Sequence, residues 1–441
     1  MIACKSPRVP GVQSSQIPTA QKPSAAGTVQ ISIPNYPLKN KQDLDILLNE
    51  IGDARIVLLG EASHGTSEYY TWRTAISKRL IQEKEFDFIA VEAEWADSYR
   101  VNQFIRGQKK DSAAVLSLLK QYNRWPTWMW GNYEVASLVS WLNSYNQPKN
   151  ATEKIGFYGL DVFCIWESLN ELISLLKNTD AVVQTAAKKV HQCFQPYSKD
   201  ISKYATAQAS ATKSCSRETN KLWQFILNHI GEKTATNETD FLMQQYALVV
   251  FNGERYYTAV ADNYAESWNI RDRHMALTLK RLLEFHGKNA KAIVWEHNTH
   301  VGDAKYTSMT RSGQINIGEL ARKEHGEKNV YIIGFGSYSG SVIAAERWGA
   351  NLKKMEVPPA AEGSWEHILH KSGASDKIIL SKDIVGNRSY NRWIDQRAIG
   401  VVYNPQLEKT RNYVPSIIPR RYDAFIFIDK TTALRPLGTT E

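Results

Sequence analysis

Cysteine is scarce in this chain of 441 residues: there are four, none in a C-x-x-C pair, and a cysteine-rich structural zinc module is excluded. No stretch approaches the roughly 18–20 uninterrupted apolar residues that cross a bilayer. No block of one charge sign is sustained either. Lys and Arg (54) outnumber Asp and Glu (45), but acids interleave with bases along the chain, which argues against nucleic acid as a partner. Several catalytic signatures are also missing. There is no G-x-S-x-G elbow, since Tyr338 holds the central position of Gly336–Gly340, and no H-E-x-x-H. A Walker A loop is absent, and the spacing after Gly334 and Gly336 does not suit a dinucleotide fold. A serine nucleophile therefore has no support.

What is present describes a globular protein. Hydrophobic residues make up 43% and charged residues 22%, and the length exceeds one compact core. Residues 1–36 are rich in Ser, Pro, Gln, Thr and Ala, and read as a disordered leader or tether. Their start, Met1-Ile2-Ala3-Cys4, is like the end of a bacterial lipoprotein signal. A lipid anchor at Cys4 and a cell-envelope location are one expectation, an ordinary exposed thiol and a cytoplasmic location the other. Cys193 and Cys215 flank a polar stretch in a helical region and are placed to form a disulfide, whereas Cys164 sits in an apolar run.

The segment Gly60-Glu61-Ala62-Ser63-His64-Gly65 carries the most information. It follows Arg55-Ile56-Val57-Leu58-Leu59, which has the length and β-branching of a buried strand, and precedes a polar helix start at Thr66-Ser67-Glu68. A carboxylate and an imidazole thus share the carboxyl end of a strand, where open α/β sheets place their ligands. The pattern recurs. Phe86–Val91 delivers Glu92 and Glu94, Ile155–Leu160 delivers Asp161, and Lys291–Trp295 delivers Glu296, His297 and His300. Val330–Gly334 runs into Gly336–Gly340. These short, unalternating runs predict parallel strands covered on both faces, with their polar ends converging along one edge. Arg73 falls within the helix face formed by Tyr69, Trp72, Ile76 and Leu80. It either forms a structural pair with an acid or overhangs the pocket of Glu61 and His64 to bind an oxyanion.

The fold class expected is α/β, a mainly parallel sheet flanked by helices. The core spans residues 37–165 and 286–345, interrupted by a helical subdomain at 166–285. A smaller α+β subdomain follows at 346–441. Long helices are expected between Phe241 and Leu283, carrying the polar cluster Arg271-Asp272-Arg273-His274. Further strands are expected at Asp376–Ser381, Arg397–Tyr403 and Ala424–Ile428. The aromatic loop Trp125–Gly131 either lines an apolar pocket or clamps a helix junction.

These motifs resemble the erythromycin esterase family. The resemblance rests on Gly60–Gly65 with Arg73, on Val91-Glu92-Ala93, on Ser267–Ala276, on Trp295–Val301, and on Arg397–Tyr403 through Pro415. Glu296 departs from the pattern, which has a small residue before the His-Asn pair. The resemblance implies a hydrolase that opens a macrolide lactone or similar ester with water, without a cofactor, a metal or a covalent intermediate. It implies His64 as general base, and Glu61 and Glu92 as the groups that orient and charge-stabilise it. Arg73 with His300, or else His297, would bind the oxyanion or leaving hydroxyl. Trp125, Trp128, Arg271 and Tyr338 are the expected substrate contacts. Two other classes fit the same residues: a metallohydrolase using the Glu/His cluster, and a non-catalytic envelope binding protein.

Overall fold

The structure is a computed structural model that describes residues 32–209, 214–260 and 263–438. Residues 1–31, Cys4 among them, lie outside that range.

A nine-stranded sheet forms the centre. Its strands are β1 (Tyr36–Pro37), β2 (Ile56–Leu59), β3 (Phe88–Glu94), β4 (Gly156–Asp161), β5 (Ala292–Trp295), β6 (Val330–Ala344), β7 (Lys353–Val357), β8 (Lys377–Leu380) and β11 (Ala424–Thr431). The order is β1-β8-β11-β6-β2-β5-β3-β4, with β7 paired to β6. The six strands from β11 to β4 are all parallel, β7 and β8 run antiparallel to them, and β1 pairs antiparallel with β8. A separate antiparallel pair joins β9 (Ile394–Arg397) to β10 (Tyr413–Ser416). The α/β class with a mainly parallel sheet is as expected.

Each predicted core run forms its strand because both faces are covered. In β2, Ile56 and Leu58 pack into one apolar cluster, and Val57 and Leu59 into the cluster on the opposite face. Such strands need no polar alternation. The helix Ser67–Lys84 buries Tyr69, Ile76 and Leu80 and covers one of these faces. The opposite face carries two long helices, Glu238–Ala259 and Tyr264–His286, within the stretch expected to be helical. Asn237 and Asn263 cap them by accepting backbone N–H groups of their first turns. Cys193 and Cys215 are joined by a disulfide, and Cys164 is free and buried.

Three strands of the C-terminal segment complete the main sheet, β7 beside the far end of β6 among them. β11 lies beside β6, and β8 beside β11. The strand expected over Arg397–Tyr403 is different: regular pairing ends at Arg397. Beyond it, Ile399 donates its N–H to the Ala62 carbonyl and Tyr403 donates to Ala345. The segment's hydrogen bonds brace the turn after β2 and the end of β6 instead of forming a ladder.

Candidate active site

Strand order brings the polar ends together. β5 enters late in the chain between β2 and β3, with Leu59 paired to Trp295 and Trp295 to Val91. Glu296 and Glu92 therefore emerge side by side, and Glu61 follows one position further on, after Gly60. Close approach makes small residues necessary here. A Cβ on Gly60 would collide with the Asn298 side chain, and one on Gly65 with the Ile343 backbone.

Glu61 and His64 meet as the motif suggested, with His64 Nδ1 2.8 Å from Glu61 Oε1. The other Glu61 oxygen accepts from Arg73. Arg73 is fully buried, with its guanidinium 4.5 and 4.7 Å from the Tyr70 and Trp295 ring centres. Its charge is paired with the Glu61 carboxylate. Burial works to lower the His64 pKa, but the Glu61 hydrogen bond and the charges of Glu92 and Glu61 outweigh it and leave it raised.

A second layer centres on Arg271. Its guanidinium donates to Asp161 at 3.0 and 2.6 Å, to Glu92 Oε1 at 2.7 Å, and to His300 Nε2 at 2.9 Å. Glu92 Oε2 accepts the His297 backbone N–H at 2.8 Å. Burial opposes the charge of Glu92, yet His300, Arg271 and His64 hold its carboxyl well below the usual range. His300 is pinned on three sides. Its Nδ1 lies 3.0 Å from both Asp272 oxygens, and Trp268 stacks on it at 4.4 Å.

His297 is built differently. Its Nδ1 lies 2.8 Å from the Thr299 hydroxyl and accepts the Thr299 backbone N–H at 3.2 Å; with Nδ1 the acceptor, the ring proton is on Nε2. That Nε2 is buried with no partner, and the ring lies 4.9 Å from that of His64. Burial and the nearness of His64 push its pKa well below the ordinary imidazole value. Among the described residues, no three His, Cys, Asp or Glu side chains are placed to hold one metal ion. The Arg271 guanidinium sits where the acids converge.

His64, Glu92, Asp161 and Arg271 line a cavity of about 240 Å³ together with apolar residues that include Trp130, Phe163, Tyr256, Trp268 and Trp348. The aromatic loop reaches it through Pro126, Met129 and Trp130. Of the expected contacts, only Arg271 lines the cavity. Trp125 packs on Trp348 at 4.5 Å at its margin, Trp128 is buried in the core, and Tyr338 stacks on His370 at 3.6 Å elsewhere. Trp128 and Tyr338 answer to core and sheet packing, which aromatic composition does not distinguish from a binding wall. Sequence reasoning passed over Asp272, Trp268 and Thr299 as site residues. Asp272 adjoins Arg271 in the dense polar cluster, and that adjacency was the available signal.

The erythromycin esterase family profile matches residues 81–431, a span that begins after the Gly60–Gly65 turn. Erythromycin esterase type II of Escherichia coli is 24% identical over 380 residues, covering 79% of this chain and 86% of that protein. A Bacillus cereus protein of known structure superposes with a TM-score of 0.77 at 20% identity, covering 91% of this chain and 96% of that one. The erythromycin esterase mutant EreC in its open conformation superposes with a TM-score of 0.65 at 14% identity, covering 89% of this chain and 94% of that one. With the profile covering most of its length, this chain belongs to the erythromycin esterase family.

Proposed function

We propose that the protein is a carboxylic ester hydrolase that opens a lactone or similar ester with a water molecule activated by His64. The observation that carries this reading is the Glu61–His64 bond of 2.8 Å on an imidazole that lines the cavity. With Nδ1 committed to Glu61, Nε2 is the atom free to take a proton from water. Glu61, backed by Arg73, fixes the tautomer and stabilises the imidazolium that forms, as the acid does in other His–carboxylate pairs.

Attack of the water oxygen on the carbonyl carbon places negative charge on the carbonyl oxygen. The unpartnered Nε2–H of His297, whose ring lies 4.9 Å from that of the cavity-lining His64, is the donor assigned to it. His300 has both ring nitrogens engaged, so its assigned role is to hold Arg271 and Asp272 in register. The C–O bond then breaks, and His64 returns its proton to the leaving oxygen.

The cavity is smaller than the ~300–1,000 Å³ usual for pockets that enclose a drug-sized ligand. A macrolide would seat its lactone ester here with most of the ring outside, and a smaller ester would fit whole. The test is mass spectrometry of the protein with erythromycin, related macrolides and a panel of simple esters and lactones. A gain of one water, lost in His64→Ala, supports the reading. Hydrolysis that persists in His64→Ala, or no turnover across the panel, rejects it.

A further inference from the structure

Glu296 directly follows β5. Its side chain is fully buried, and neither carboxyl oxygen has a hydrogen-bond partner. Its backbone N–H donates to Leu59, so the residue is fixed in the ladder between β2 and β3. In β5, Ala292 and Val294 pack on the face that carries the helix Tyr264–His286, while Ile293 and Trp295 pack on the other. Alternation sends Glu296 to the former face, beside Glu92 and toward Asp272.

We propose that Glu296 is a positioning residue, a neutral carboxylic acid beside Glu92 that keeps the negative charge of the Glu92–Arg271–His300 layer at its working value. The proposal rests on the hydrolytic reading above for its consequence in catalysis. An ionised carboxylate with no donor, buried between two acids, is strongly disfavoured, whereas the protonated acid is tolerated. Burial, then Glu92 and Asp272, hold its proton well above the usual carboxyl range.

Glu92, Asp272, Arg271 and Asp161 act on it electrostatically. β3 contributes Glu92, β4 contributes Asp161, the helix Tyr264–His286 contributes Arg271 and Asp272, and the following turn contributes His297 and His300. Glu61 and His64 lie across the end of β2. Arg271 is already bonded to Asp161, Glu92 and His300 and has no bond to Glu296. Loss of the Glu296 proton would set a second negative charge beside Glu92. It would draw protons onto His64 and His297, which are needed as a free base and as a neutral donor.

The experiment compares the wild type with Glu296→Gln, which keeps the shape and stays neutral. Imidazole signals of His64 and His297 are followed by NMR from about pH 5 to about pH 10, and kcat/KM is measured over the same range on any ester the wild type hydrolyses. We expect an alkaline inflection in the wild-type ring signals that is absent in Glu296→Gln. The alkaline limb of kcat/KM should move upward by at least about one pH unit while the acid limb stays in place. Infrared spectra above pH ~4.3, the ordinary Glu value, should show a protonated-carboxyl band that the substitution removes. Identical ring titrations in the two proteins, or no such band, overturn the proposal. These two readouts need no substrate. Intact spectroscopic differences without turnover would therefore reject the hydrolase reading alone, and an unmoved alkaline limb would overturn the positioning role alone.

Discussion

Arg271 Nη1 lies 2.9 Å from His300 Nε2, which makes that nitrogen an acceptor and places the ring proton on Nδ1 toward Asp272. A guanidinium has only donors, so the geometry determines the tautomer. His300 is thereby committed at both nitrogens, while His297, three residues earlier, has an unpartnered Nε2. The two histidines of one turn are separated into a ring held at both nitrogens and a ring with one buried, unpartnered nitrogen.

His297→Asn should lower kcat by roughly 10²–10³ with little change in KM, the signature of a lost oxyanion donor. Steady-state kinetics on the best ester decides it. An equal or larger loss of kcat in His300→Asn, with His297→Asn active, would reverse the assignment.

Removing the base or its orienting acid separates two effects. His64→Ala should abolish turnover. Glu61→Gln should reduce kcat by about 10²–10⁴. Because the Glu61 bond is the largest contribution raising the His64 pKa, Glu61→Gln should also move the acid limb of kcat/KM to lower pH. In the wild type that limb should lie above ~6.5, the ordinary imidazole value, since the base must be unprotonated. A pH–rate profile of both proteins is the measurement.

Acid should destabilise the fold through His297. Its folded pKa is depressed, so below ~6.5 the unfolded chain binds a proton that the folded protein does not. Stability is present above that pH and declines as pH falls. Glu92, also depressed, adds a further loss below ~4.5. Thermal denaturation at a series of pH values should show the first decline, and His297→Asn should flatten it.

Arg271 neutralises a buried layer, and its removal strands Glu92 and Asp161. Arg271→Gln should cost about 3–5 kcal/mol in stability. Urea unfolding measures this directly. A change under 1 kcal/mol, on the order of an exposed pair, would contradict the buried layer described above.

The Cys193–Cys215 disulfide ties the helix Ala181–Phe194 to the helix Ser216–Ile230, both remote from the cleft. Cys193→Ser with Cys215→Ser should lower stability by about 2–5 kcal/mol. Circular dichroism melts, with and without reductant on the wild type, test it.

Much of the site was legible because strand ends are local features. Runs such as Ile56–Leu59 and Ala292–Trp295 announce buried strands by β-branching and length, and the polar residues after them mark a sheet edge. The Glu61–His64 pair needs only three residues of chain to form, and a three-residue spacing is visible in any sequence. Arg73 could be recognised as a buried charge, but its partner could not. Whether it faced the cleft or the back of Glu61 depended on how the helix Ser67–Lys84 docks.

Long-range order accounts for the rest. Nothing local says that β5 inserts between β2 and β3, yet that placement sets Glu296 beside Glu92 and brings His297 within 4.9 Å of His64. The same holds for Asp272, Trp268 and Arg271, delivered by a helix over 100 residues beyond β4. Residue types and periodicity are encoded locally, so the chain's own pattern established the class of fold and the kinds of groups at its edge. Sheet order and helix docking arise from burial of whole faces against one another, so the folded protein alone decided which groups touch, which nitrogen carries the proton, and which carboxyl is left without a partner.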